Sequence, residues 1–154
     1  MSPFIKFKYK KDREGILFMH PITIMIMAQM AFYASNQGLP FVITDTVSTP
    51  EQDKKLGRQT LTHQEGRAFD LSARGWSQAD VKNVTERLTK MFGEYAAISS
   101  ETLKPELVVY HKTKTGAYHF HVQIHKRYAR KQIYEQLSTG RTAEKAEEPP
   151  RFNP

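Results

Sequence analysis

The side chains best suited to chemistry lie in two short segments, His63-Gln64-Glu65-Gly66-Arg67-Ala68-Phe69-Asp70 and, much later, Tyr118-His119-Phe120-His121-Val122-Gln123. Together they offer two imidazoles and a carboxylate to one metal ion and leave a fourth position to water. Three protein ligands plus water distinguish a catalytic zinc site from a structural one, which closes its fourth position with protein. The chemistry this composition points to is metal-assisted hydrolysis.

His63 and Asp70 are seven residues apart, a spacing that a loop leading into a strand can fold onto one ion. Between them Gly66 permits an unusual backbone angle or a close approach, and Ala68 takes little space. Taken alone, the pair also reads as a solvated loop histidine and a turn-capping aspartate. In the second segment, strand alternation puts His119, His121, Gln123 and His125 on one side and Tyr118, Phe120, Val122 and Ile124 on the other. The apolar side packs a core. Three imidazoles in a row are harder to explain by packing, although any one of them could be a hydrogen-bonded sheet histidine.

The pattern His63-x-x-Gly66-x-Ala68-x-Asp70 followed by His119-x-His121 resembles a family of peptidoglycan peptidases. These include D-alanyl-D-alanine carboxypeptidases and phage L-alanyl-D-glutamate endopeptidases, and their zinc fold is shared with the hedgehog signalling domain. The likeness runs from about Pro40 to His125, with Leu61 standing where the family has Ser or Thr. It implies a small α+β domain in which helices pack on one face of an antiparallel sheet and the concave side holds zinc. It further implies His63 and Asp70 as the first two ligands and His121 as the third. His119 would be a neighbour that hydrogen-bonds the reacting oxygen or orients the site.

Two features of that family are missing. Relatives carry a Glu or Asp a few residues before the last ligand, whereas no acid lies between Leu107 and His121. His111, at the end of the preceding strand, is the preferred substitute base, because a neutral imidazole accepts a proton near pH 7; its alternative is an exposed turn residue. Glu65 and Glu106 are the remaining acidic candidates. Some relatives also place an Arg just after the strand corresponding to Pro40–Thr44, where this chain reads Asp45-Thr46-Val47-Ser48. Substrate contact is then expected from Arg58, Lys54 or Lys55 on the following loop or from Arg67 inside the motif, although each reads more readily as a solvated charge.

The elements that must hold these residues follow from local pattern. Phe4–Tyr9 and Gly15–Met19 predict a small hairpin. His20-Pro21 opens a helix that Asn36-Gln37-Gly38 closes. Pro40–Thr44 predicts a buried strand, Asp45–Thr62 a long surface loop, and Ala68–Leu71 a strand. Ser77–Asp80 starts a helix with Val81, Val84, Leu88, Met91, Phe92 and Tyr95 on one face. Trp76 could flank the cleft or cover the start of that helix, and the second is favoured. Leu107–Tyr110 and Tyr118–Ile124 should pair across the turn Lys112–Gly116. Residues 1–137 would form a single domain, with a short helix from about Arg130 to Leu137 and a disordered tail over 138–154.

Composition narrows the class. The 154 residues, 39% hydrophobic and 25% charged, suffice for one core. Zero cysteines exclude a disulfide framework and thiolate ligands. Twenty-three basic against sixteen acidic residues give a net charge of +7, which favours anionic partners. The basic residues are denser only at Lys6–Arg13 and Lys126–Lys131, and no nucleic-acid-binding motif is present.

The apolar run Ile22–Tyr33 is well short of the roughly 20 residues that cross a bilayer and reads as a core helix. Charges within the first eleven residues argue against a secretion signal. The expectation is a monomeric zinc peptidase that hydrolyses a peptide bond in bacterial peptidoglycan. It would be made without a signal peptide and reach the wall as a phage lysis enzyme or on a virion. The alternative is a non-catalytic, zinc-stabilised binding or structural module of the same fold.

Overall fold

The computed structural model describes residues 5–100, 102–113 and 115–128. The chain runs β1 (Lys6–Phe7), α1 (Lys10–Gly15), α2 (Pro21–Asn36), β2 (Val42–Asp45), α3 (Pro50–Leu56), β3 (Ala68–Ser72), α4 (Gln78–Phe92), β4 (Ala97–Ile98), β5 (Pro105–Glu106), β6 (Val108–Lys112) and β7 (Tyr118–Gln123). The architecture is α+β, with a five-stranded sheet in the order β1-β2-β3-β7-β6 and a two-stranded ribbon of β4 and β5.

Period-two alternation builds the central strands. Along β7, Phe120 and Val122 are fully buried, and they face Leu71 and Phe69 of β3 and Tyr110 and Val108 of β6. Helices α2 and α4 cover this apolar face, contributing Ile26, Met27, Met30, Ala31 and Ala34 from one and Val81, Val84, Leu88 and Phe92 from the other. Burying a large apolar side chain such as Phe69 or Phe120 contributes about 1.5–3 kcal/mol. His20 caps α2, its Nδ1 accepting from the Ile22 N–H at 3.2 Å, and Pro21 follows where its missing N–H costs nothing. A capping box between Ser77 and Asp80 starts α4. Met91, expected on the buried side of that helix, is exposed. Trp76 packs against Phe120 and Tyr33 and donates its Nε1–H to the Pro40 carbonyl at 2.9 Å, which anchors the start of α4 on the core face.

Three expectations need correction. The first strand does not form a hairpin with Gly15–Met19: β1 pairs in parallel with β2, so the sheet is mixed and not purely antiparallel. The polar connection expected between the hairpin strands folds instead as α1, which packs on the chain after β2: a Cβ on Gly15 would lie 2.3 Å from Thr46 Oγ1, and the Asp12 carbonyl accepts from that hydroxyl at 2.9 Å. Third, the loop Asp45–Thr62 contains α3, which begins with a capping box between Thr49 and Gln52 and ends at Gly57 in the left-handed conformation. The helix expected at 130–137, the tail 138–154 and Phe4 of the expected hairpin lie outside the described residues.

Candidate metal centre

The sheet's second face carries the polar residues. Asp70 on β3 lies directly opposite His121 on β7, Ser72 opposite His119, and His119 in turn opposite His111 on β6. Simple alternation along β2 would put Asp45 with the buried Ile43. A bulge intervenes: Ile43 faces Leu71, but Asp45 faces Asp70. The irregularity turns Asp45 from the core face to the polar face, a common use of bulges beside functional sites.

His63 reaches the same point from the loop before β3. Gly66 makes that loop possible, with a φ of +65° and its α-carbon so close to the Phe18 carbonyl that a Cβ would stand 2.4 Å from the oxygen. His63 Nε2 then lies 3.2 Å from Asp70 Oδ1 and 3.3 Å from His121 Nδ1, while His121 Nδ1 is 2.7 Å from Asp70 Oδ1. Among the described residues these three form the group whose ligand atoms could hold a metal ion.

Hydrogen bonds on the far side of each ring fix which atoms are free. A backbone carbonyl only accepts, so the contact at 2.5 Å between His63 Nδ1 and the Thr46 carbonyl places a proton on Nδ1. Gln123 donates its amide to the Glu106 carbonyl at 3.4 Å, which turns its Oε1 toward His121 Nε2 at 3.3 Å and places the other proton there. Both imidazoles therefore aim bare nitrogens at a carboxylate oxygen. Atoms that all carry lone pairs repel at such distances unless positive charge lies between them.

A proton on His63 Nε2 is one answer. Burial opposes charge on His63, but the Asp70 carboxylate outweighs it and the pKa is raised. Burial likewise pushes Asp70 up, yet His63 and His121 together bring it well below the usual carboxylate range. A divalent cation is the other answer, and the donor set fits one: two ring nitrogens and one oxygen, with far-side partners of the kind that orient metal-bound histidines.

Sequence reasoning did not foresee the charges behind the triad. Arg58 bonds Asp45 Oδ2 at 2.6 Å, Asp53 Oδ1 at 3.0 Å and Asp70 Oδ2 at 2.7 Å, and Lys11 bonds Asp45 Oδ1 at 2.9 Å. Burial raises Asp45, but His63, Arg58 and Lys11 together lower it. The carboxylates of Asp12, Asp45, Asp53 and Asp70 outnumber the cations Lys11 and Arg58 around them, so this region favours added positive charge. A buried aspartate closing the apolar strand Phe41-Val42-Ile43-Thr44 was the available signal. For Gln123 it was the shared parity with His121.

His111 and His119 face each other with their Nε2 atoms 3.1 Å apart. Burial, with His111, His121 and Arg58 nearby, holds His119 below its ordinary pKa despite the pull of Asp70. His119 Nδ1 is buried and has no hydrogen-bond partner among the described residues. Arg58, expected at the substrate, is engaged by three carboxylates, and Arg67 by Glu65 and by the Ile124 carbonyl at 2.8 Å. Both guanidiniums are thus committed to internal partners. Lys54 and Lys55 are exposed on α3, and His125 lies past the end of β7, where its Nδ1 accepts from the Arg127 N–H at 3.2 Å.

Comparison with known proteins finds no matching family, no matching characterised protein and no matching solved structure.

Proposed function

We propose that this protein is a zinc-dependent peptidase that hydrolyses a peptide bond in bacterial peptidoglycan. Its fold would be of the type found in D-alanyl-D-alanine carboxypeptidases, phage L-alanyl-D-glutamate endopeptidases and the hedgehog domain. The observation that carries this reading is the convergence of His63 Nε2, Asp70 Oδ1 and His121 Nδ1 within 4.8 Å of one another, with both rings' other nitrogens tied down. Nitrogen and oxygen donors without thiolate are compatible with zinc, as they are with other divalent ions. When bound, zinc supplies Lewis acidity toward a scissile carbonyl and makes water a nucleophile near neutral pH.

The chain's own residues do the rest. His63 and Asp70 are buried, whereas His121, His119 and His111 are partly exposed, so substrate approaches from the β6–β7 side. His119 is kept neutral near pH 7 by its depressed pKa, and its Nε2 shares a hydrogen bond with His111 Nε2. The pair can take a proton at nitrogen during attack and return it to the leaving amine, in place of the carboxylate that relatives use. The net charge of +7 suits anionic wall polymers. Access to the wall would follow release by a lysis pore or delivery on a virion.

One observation favours a second reading, a zinc-stabilised module without turnover. Asp45, Asp53 and Asp70 are all bonded to Arg58, which leaves none of these three carboxylates free to act as base. Incubation with purified sacculi, with zinc or with a chelator, separates the two. A peptidase releases fragments bearing new amine ends at a stem or cross-link bond in zinc only. The module binds zinc and releases none.

A further inference from the structure

Asp70 divides its two oxygens. Oδ1 faces His63 and His121, while Oδ2 accepts from Arg58 Nη2 at 2.7 Å. Arg58 is in turn unable to swing. Its Nη1 is held by Asp45 and Asp53, its backbone N–H donates to the Asp53 carbonyl at 3.0 Å, and Asp53 is itself fixed by Ser48 Oγ at 2.6 Å and Gln64 Nε2 at 2.8 Å. We infer that Arg58 is a positioning residue that keeps Asp70 a one-oxygen ligand and thereby preserves an open coordination position at the centre. The inference rests on the metal centre and not on peptidase activity.

The physical reasoning is a competition for Oδ2. A carboxylate that chelates an ion through both oxygens adds a ligand at the cost of an outer hydrogen bond. Here that bond is charge-assisted and made by a planar fork whose second nitrogen is already anchored. Turning Oδ2 toward the ion would strand the guanidinium beside Asp45 and Asp53 with one of its bonds broken. A lysine cannot replace this arrangement, because a point charge on a flexible stem does not hold three carboxylates in fixed directions. The cluster on α3 and β2 thus acts on ligand geometry, and through it on how acidic a bound metal is.

The test begins with the wild-type protein. Infrared difference spectra between zinc-loaded and chelated protein, with ¹³C-labelled aspartate, should show the wide splitting of carboxylate stretches typical of one-oxygen coordination; a narrow splitting would overturn the inference. Arg58→Lys and Arg58→Met are then titrated with Co²⁺, and folding is checked by circular dichroism. The expected result is affinity about 10- to 100-fold weaker and a visible spectrum weakened toward five-coordination. A folded variant with the wild-type cobalt spectrum contradicts the inference while leaving the metal centre intact. Failure of the wild-type protein to take up either metal removes the centre itself, and the inference with it.

Discussion

Gln123 Oε1 lies 3.3 Å from His121 Nε2, two residues along the same face of β7, and accepts the proton that leaves His121 Nδ1 bare toward Asp70. The far side of this ring therefore determines what its near side can bind. Gln123→Leu should lower zinc affinity about 10- to 100-fold, as loss of an outer-sphere partner does. Gln123→Glu, which keeps the acceptor but loses the amide donor that orients it, should lower affinity less. Isothermal titration calorimetry on both variants checks the pair.

The Asp70–His63 pair should stabilise the metal-free protein most on the acid side of neutrality, against His119, whose depressed pKa withdraws its contribution as pH falls below about 6.5. Asp70 is held below its unfolded value of about 3.9, so its contribution is present above that pH and lost as pH falls through the folded pKa. His63 is raised above its unfolded value of about 6.5, so its contribution is full below that pH and lost as pH rises through the folded pKa. The window where both act is roughly pH 4 to 6.5. Urea midpoints measured in chelator on His119→Ala, which removes the opposing imidazole, should be higher at pH 5.5 than at pH 8. Zinc affinity should run the other way, because the ion displaces the His63 proton.

Gly66→Ala and Gly38→Ala separate two causes. Both glycines have positive φ, +65° and +67°, so each substitution incurs a backbone cost of about 1–3 kcal/mol. Only at Gly66 does the new methyl also collide, with the Phe18 carbonyl at 2.4 Å, while nothing lies within 4 Å at Gly38. Gly66→Ala should therefore destabilise clearly more than Gly38→Ala in urea unfolding, and it should weaken zinc binding by displacing His63.

His111→Ala should leave zinc bound and remove turnover by about 10²- to 10⁴-fold if the facing imidazoles move the proton. Zinc content by elemental analysis and fragment release from sacculi are measured on the same sample. Unchanged turnover would transfer the base role away from this pair.

Much of this was legible because it is local. The alternation of Tyr118–Gln123 gives both the core residues Phe120 and Val122 and the site residues His119 and His121. The Pro21 and Ser77 starts mark α2 and α4 by capping chemistry. What escaped is long-range or masked by composition. Nothing near Lys6–Phe7 announces a parallel partner beyond α2, since that pairing is set by tertiary packing. The Thr49-Pro50-Glu51-Gln52 capping signal was present, but it lies in a stretch polar enough to read as loop. Arg58 read as a free charge because the three carboxylates that hold it come from β2, α3 and β3, and the bulge that brings Asp45 among them follows from the β2–β3 register and not from local sequence.

Metal stoichiometry tests the centre most directly. Native mass spectrometry and calorimetry of the wild-type chain at neutral pH should show one zinc ion per chain with proton release, and His121→Ala should abolish that binding while the protein stays folded. Absence of zinc binding in the wild type, or equal binding in His121→Ala, would contradict the account.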